Sequence, residues 1–140
     1  MRPAELESLF GDTIYSYSQE DAIEDGLLVK ADEKLAKEAG FKIPVVLTSS
    51  VHEVCNWKGE EDGTGQSYTG RLWDVLTVAA LTFRQRLRAA KTPEDEREMR
   101  LIPFKVRFLK SAEPLKFEDD ELWLVFDEST GFTIMYPEDY

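Results

Sequence analysis

The sequence predicts an α+β domain in which N-terminal helices, with one long central helix, pack against a C-terminal antiparallel meander of about three strands. Two patterns lead to this prediction. From about residue 18 to residue 91, apolar residues recur at helical spacing between glycine and proline breakers. From about residue 101 to residue 136, apolar and polar residues alternate as they do in half-buried strands. Helices that precede strands, rather than alternating with them, favour the α+β class. A chain of 140 residues is the size of a single domain, here residues 1–140.

Two short helices are predicted first. Ser18 is a preferred N-cap residue with an acid three positions later, and Gly26 supplies the left-handed residue that ends the first helix. A short extended link over 27–29 follows. The second helix is predicted over residues 32–39, and Gly40 ends it in the same way.

A third helix is predicted to start at Pro44, which suits a first helical turn, and to end near Trp57. Its apolar positions recur at helical spacing: Leu47, Val51, Val54 and Cys55. The segment 58–66 has three glycines and three acids without periodicity, which is typical of a surface loop.

The longest helix is predicted from Gly70 to about Ala90, because this run contains no breaker and is apolar nearly all round in its first part. Its last turns should expose four cations, which suit the helix dipole: Arg84, Arg86, Arg88 and Lys91. A polar link with the acidic run Glu94–Glu98 follows, and we expect these acids to form salt bridges with the four cations.

Three strands are predicted in the rest of the chain. Residues 101–109 alternate apolar and basic side chains, and 121–126 and 132–136 are the other two candidates. A loop with a glycine near its end, Asp127–Gly131, joins the last two strands as a hairpin.

Composition limits the classes of function. Cys55 is the single cysteine, which excludes an internal disulfide and a multi-cysteine zinc site within one chain and favours the cytoplasm. No secretory signal pattern and no apolar run long enough to cross a membrane occur in the sequence.

The net charge of −11 is unevenly distributed. Residues 1–66 carry −8, residues 67–91 carry +4 and residues 92–140 carry −7. An acidic surface repels nucleic acid and membranes and attracts basic partners, so we expect a basic protein surface as partner and no direct nucleic-acid binding.

One acidic cluster lies on the first predicted helix: Glu20, Asp21, Glu24 and Asp25. Paired carboxylates can form a solvated face, bind a protein partner or hold Mg²⁺ or Ca²⁺. Glu24 and Asp25 face the negative end of the helix dipole, so local stability does not explain them. No metal site, cofactor or catalytic residue is predicted.

His52 and Cys55 are three residues apart on the third predicted helix, close enough for a thiolate–imidazole pair. A zinc site would need further strong ligands, and the chain has no other histidine or cysteine. Cys55 also lies near the end of that helix, where its pKa is not lowered, so a structural, half-buried cysteine is the favoured interpretation.

Three sequence blocks, in this order, resemble a family of short proteins of unknown function carried by phages, plasmids and other mobile elements. The blocks are Ile14–Ser18 with Asp21–Gly26, Ala39–Val45 with Leu47–Thr48, and Gly70–Leu76. Small acidic proteins of such elements often bind and block a defence nuclease of the host, with carboxylates placed where the nuclease expects DNA phosphates.

The resemblance therefore implies an acidic inhibitor of a CRISPR nuclease or a restriction system. The partner-binding residues would be Glu20, Asp21, Glu24, Asp25, Glu60, Glu61 and Asp62. Two alternatives stay open at this point. One is a small metal-dependent or hydrolytic enzyme that uses the clustered acids or His52, and the other is an assembly module that acts as a homodimer.

Overall fold

The computed structural model of the protein describes residues 26–56, 66–128 and 131–140. In chain order, the elements are β1 (Leu28–Lys30), α1 (Glu33–Ala39), β2 (Val45–Thr48), α2 (Ser49–Cys55), α3 (Tyr68–Ala89), α4 (Pro93–Glu98), β3 (Leu101–Ser111), β4 (Lys116–Asp127), β5 (Gly131–Met135) and a 3₁₀ turn (Pro137–Asp139). The α+β class predicted from the sequence is confirmed.

The strands form one five-stranded sheet in the order β1-β2-β5-β4-β3. The C-terminal meander is present, because β3 pairs with β4 and β4 with β5, both antiparallel. The meander has the predicted three strands, but the sheet has five, and its other two strands were not predicted. β2 adds to the meander parallel to β5, with Leu47 opposite Ile134, and β1 pairs antiparallel with β2 at the edge.

The prediction of a helix from Pro44 was wrong for its first part. Val45–Thr48 is a strand, and α2 begins only at Ser49 and ends at Cys55. All four residues of β2 are buried and the first three are apolar, so the strand shows no alternation of apolar and polar residues. Leu47 of β2 and Val51 of α2 both belong to the core. Because they are four residues apart, these two buried positions have the spacing of a single helix although they belong to two elements.

The short helix α1 agrees with its prediction. Asp32 caps it by accepting a hydrogen bond from the Leu35 N–H at 3.0 Å, and Gly40 ends it with a φ of 117°. Gly26 has a φ of 79°, as expected of a left-handed residue. The first predicted helix and residues 58–65 of the predicted loop lie outside the described residues.

The long helix α3 is also where the sequence predicts it, two residues longer at its start. Its buried face packs on one face of the sheet and supplies Leu72, Val75, Leu76, Ala79 and Ala80 to the core. The sheet contributes alternate residues, among them Ile102, Phe104, Leu122, Leu124 and Ile134. Burying each leucine or isoleucine contributes roughly 1.5–3 kcal/mol.

The acidic run after α3 is a helix rather than a polar link. Thr92 and Asp95 form a capping box, which starts α4 at Pro93. The Asp95 carboxylate accepts from the backbone N–H groups of Lys91 at 3.0 Å and Thr92 at 3.2 Å. In the part of the chain that the structure describes, the expected salt bridges between this run and the cations of α3 are not formed, and Asp95 caps backbone groups instead.

Candidate functional site

A buried arginine organises the end of the molecule at which α3 begins. Arg71 is only 4% exposed although it lies in the first turn of α3. Its Nε donates to the carbonyl oxygen of Val54 at 2.9 Å, and its Nη1 donates to Gln66 Oε1 at 3.0 Å and to the Leu109 carbonyl oxygen at 2.9 Å. The guanidinium also lies 5.0 Å from the centre of the Phe108 ring, a cation–π contact.

These contacts join both sides of an acidic segment. Val54 is near the end of α2 and Gln66 precedes α3, so the guanidinium binds residues on either side of 57–65. The same group holds Leu109 at the end of β3. A planar guanidinium suits this role, because its five donors point in fixed directions. Arg71 therefore fixes where the segment 57–65 leaves and rejoins the fold.

Ionisable groups surround Arg71. Burial lowers the pKa of its guanidinium, whereas the nearby Cys55, Tyr136, Asp120 and Asp74 act in the opposite direction. Asp120 accepts hydrogen bonds from Lys110 Nζ at 2.7 Å and from the Tyr136 hydroxyl. Burial and this carboxylate raise the pKa of Tyr136, so the phenol stays protonated and acts as a donor. The cluster is a satisfied polar network at the junction of α3, β3 and β4.

His52 and Cys55 do not form the thiolate–imidazole pair that their spacing would allow, in line with the favoured interpretation of Cys55 as a structural residue. His52 Nδ1 shares a hydrogen bond of 2.8 Å with the Tyr68 hydroxyl, and the two rings meet edge to face. Cys55 is fully buried rather than half-buried. Burial raises the pKa of its thiol to about 12, so it stays protonated at neutral pH and is not an activated nucleophile.

The C-terminal turn is attached to the start of α2 through one carboxylate. Asp139 Oδ2 accepts from the hydroxyls of Thr48 at 2.8 Å and Ser50 at 2.5 Å and from the Tyr136 N–H at 2.9 Å. Partial burial alone would raise the pKa of this carboxyl, but the three hydrogen bonds together outweigh it and hold the pKa below its usual range.

This attachment predicts a pH-dependent contribution to stability. The folded-state pKa of Asp139 lies below its unfolded value of about 3.9, so the contribution is complete above pH 5 and is lost as the pH falls through the folded-state pKa. Urea unfolding of the wild type and of Asp139→Asn should differ at pH 7, and the difference should shrink as the pH falls below about 4. A constant difference between pH 7 and pH 3 would contradict this.

The seven residues that the sequence predicts to bind a partner lie outside the described residues: Glu20, Asp21, Glu24, Asp25, Glu60, Glu61 and Asp62. The structure describes the residues that adjoin these segments, and so shows where each segment joins the fold. The carbonyl oxygen of Leu27 accepts from the Ser49 N–H at 2.9 Å, so residues 1–25 connect beside the start of α2. Residues 57–65 connect at its other end, about 10 Å away along a helix of seven residues.

The charge of the protein is concentrated in these two segments. Residues 1–25 contain one basic and seven acidic residues, and residues 57–65 contain one basic and three, so together they carry −8 of the net charge of −11. The rest of the chain is close to neutral, with a net charge of −3. The two segments therefore carry most of the net charge, because the −7 of residues 92–140 is largely offset by the +4 of residues 67–91.

Sequence reasoning missed Arg71, Asp120 and Tyr136. One signal was present for Arg71, which is the only basic residue in the first half of the long apolar helix. Asp120 and Tyr136 gave no such signal, because Asp120 is one of four consecutive acids at 118–121 and Tyr136 follows an apolar run. Among the described residues, no three His, Cys, Asp or Glu side chains are grouped so that they could hold a metal ion.

Comparison with known proteins gives no relative: no family model, no curated protein and no solved structure matches this chain. Within residues 26–56, 66–128 and 131–140, no helix has the length and apolar content that a membrane crossing requires.

Proposed function

We propose that the protein is an acidic binding module that uses the carboxylates of residues 1–25 and 57–65 to contact a basic surface of another protein. The contacting residues are Glu20, Asp21, Glu24, Asp25, Glu60, Glu61 and Asp62. Each carboxylate pairs with an arginine or lysine of the partner, in charge-assisted hydrogen bonds. Such contacts speed association and set specificity, and they weaken as salt is added.

One observation carries the proposal: eight of the eleven net negative charges belong to two segments that join the fold at the two ends of α2. Charges that only keep a protein soluble can be spread over its surface and do not have to be grouped in particular segments. Here the buried Arg71 binds Val54 and Gln66, which flank the second segment. Flanking residues that are already held in place lower the entropy cost of binding a partner.

The resemblance to proteins of mobile elements supports a particular kind of partner. We propose that it is a nuclease of a host defence system, either a CRISPR nuclease or a restriction enzyme, inhibited in the cytoplasm. The DNA-binding channel of such an enzyme is rich in arginine and lysine, because it must neutralise phosphates. Clustered carboxylates can occupy the same cations without any nucleic acid being bound by the inhibitor.

A panel of defence nucleases tests the proposal. DNA cleavage is scored with and without the protein, at about 50 mM and about 300 mM salt, and binding is checked by co-elution. We expect at least one enzyme to be inhibited, and the inhibition to weaken at the higher salt concentration. No inhibition, together with no co-elution with any member of the panel, would overturn the proposal.

A further inference from the structure

The solvent-facing side of α3 carries a stripe of side chains that is complementary to itself. Asp74, Thr77, Leu81, Gln85 and Arg88 follow one another three or four residues apart, so they lie on one face of the helix. Leu81 is 50% exposed at the middle of this stripe, although it is a large apolar residue. Asp74, Gln85 and Arg88 are exposed as well.

The stripe is arranged symmetrically about Leu81. Asp74 lies seven residues before it and Arg88 seven residues after it, which is two helical turns or about 10 Å in each direction. Thr77 lies four residues before it and Gln85 four residues after it. If a second copy of the helix packs antiparallel, centred on the same leucine, Asp74 of each copy therefore faces Arg88 of the other, and Thr77 faces Gln85.

We propose that a second copy of this chain packs against this stripe, with the two α3 helices antiparallel about a two-fold axis at Leu81. The two leucines then contact each other, and Asp74 of each protomer faces the partner's Arg88. An isologous contact of this kind closes on itself and gives a dimer rather than a filament. The inference does not rest on the proposed function, because none of the proposed partner-binding acids belongs to the stripe.

The buried area and the net charge determine how tightly this dimer forms. One helix pair buries less area than the roughly 1,600 Å² of a standard interface, so we expect a dissociation constant on the order of 0.1 mM. The net charge of −11 repels two copies. At about 0.15 M salt the Debye length is roughly 8 Å, so distant charges are screened while the facing pairs are not.

The electrostatic surroundings of Asp74 fit this arrangement. Although the residue is exposed, neighbouring atoms shield its carboxyl partly from water and raise its pKa, and Arg71 acts in the opposite direction. A second cation placed opposite Asp74 would stabilise the ionised form further, so dimerisation and ionisation of Asp74 support each other. Arg86 is two residues from Arg88 but on the other side of the helix, so it provides a matched control.

Sedimentation equilibrium at about 0.15 M salt, up to 1 mM protein, tests the dimer. Arg88→Asp places acid opposite acid and Asp74→Arg places base opposite base, so each variant alone should dimerise at least about tenfold more weakly. An equimolar mixture of the two should recover association, because every facing pair is again opposite in charge. Arg86→Asp makes the same charge change off the stripe and should dimerise as the wild type does.

Three results would overturn the proposal: a wild type that stays monomeric at 1 mM, an Arg86→Asp variant that loses as much association as Arg88→Asp, or a mixture that does not recover. Circular dichroism checks that each variant is folded. If Asp74→Arg does not fold, because it adds a cation beside Arg71, Leu81→Asp replaces it. Leu81→Asp puts two carboxylates at the axis, and undiminished dimerisation of that variant would equally overturn the proposal.

Discussion

Replacing Arg71 with methionine should lower the free energy of unfolding by about 3 kcal/mol or more. Methionine fills much of the same volume but donates no hydrogen bond. The carbonyl oxygens of Val54 and Leu109 would each lose a charged donor, and the Leu109 oxygen is in a buried hydrogen bond. A buried acceptor without a partner costs roughly 1–3 kcal/mol, and several are affected at once.

Chemical denaturation followed by circular dichroism measures this effect. Arg71→Lys should lose about half as much, because the ammonium keeps the charge but cannot reach all three acceptors in the fork geometry of a guanidinium. Arg88→Met, which removes an exposed arginine of the same helix, should change stability by less than about 0.5 kcal/mol. Equal, small losses for Arg71→Met and Arg88→Met would show that Arg71 does not hold this end of the fold.

Leu47→Ala should lower the free energy of unfolding by about 3 kcal/mol, within the usual range of about 2–5 kcal/mol for such a truncation. Leu47 is fully buried in β2, with Val29 of β1 on one side and Ile134 of β5 on the other. The Leu47 side chain stands off the sheet into the core, so alanine would leave a cavity there that the paired backbones of β1, β2 and β5 cannot move to fill.

Leu87→Ala provides the matched control for this substitution, since Leu87 is 53% exposed at the far end of α3. It should cost less than about 0.5 kcal/mol in the same denaturation experiment. A loss below about 1 kcal/mol for Leu47→Ala would contradict the placement of β2 between β1 and β5, with Leu47 in the core.

The elements that the sequence predicts correctly are those whose signals are local. The Asp32 cap and the Gly40 stop enclose α1, and α3 is a long run without a breaker. In β3, the alternation of Phe104, Val106 and Phe108 with basic residues marks a strand with one buried face. Each signal lies within the element itself, so no knowledge of the rest of the fold is needed.

β2 was missed because its structure depends on a distant partner. Val45–Thr48 pairs in parallel with β5, which lies more than 80 residues further along the chain. A strand buried on both faces has no alternation, so a short apolar run of this kind cannot be told from part of a helix by periodicity. Because the apolar residues from Leu47 to Cys55 have helical spacing, Val45–Thr48 was wrongly predicted as part of a helix.

Of the candidate site, only the acidic residues could be predicted from the sequence. The acids of residues 1–25 and 57–65 are visible in the sequence, but the group that holds the second segment is not. The burial of Arg71 follows from carbonyl oxygens on α2 and β3, which only the folded chain brings together. Asp120 of β4 and Tyr136, which directly follows β5, meet for the same reason.

The cleavage assay, repeated with two charge-reversed variants on an enzyme that the wild type inhibits, tests most directly whether the acidic segments bind the partner. One variant replaces Glu60, Glu61 and Asp62 with lysine. The other replaces Glu94, Glu96 and Glu98 of α4 with lysine, which makes the same change in net charge. These residues follow the far end of α3, about 30 Å from Arg71. We expect the first variant to lose at least about tenfold in inhibition and the second to stay within about threefold of the wild type. Equal losses in both variants would mean that net charge alone matters, and full inhibition by the first would mean that these acids do not touch the partner.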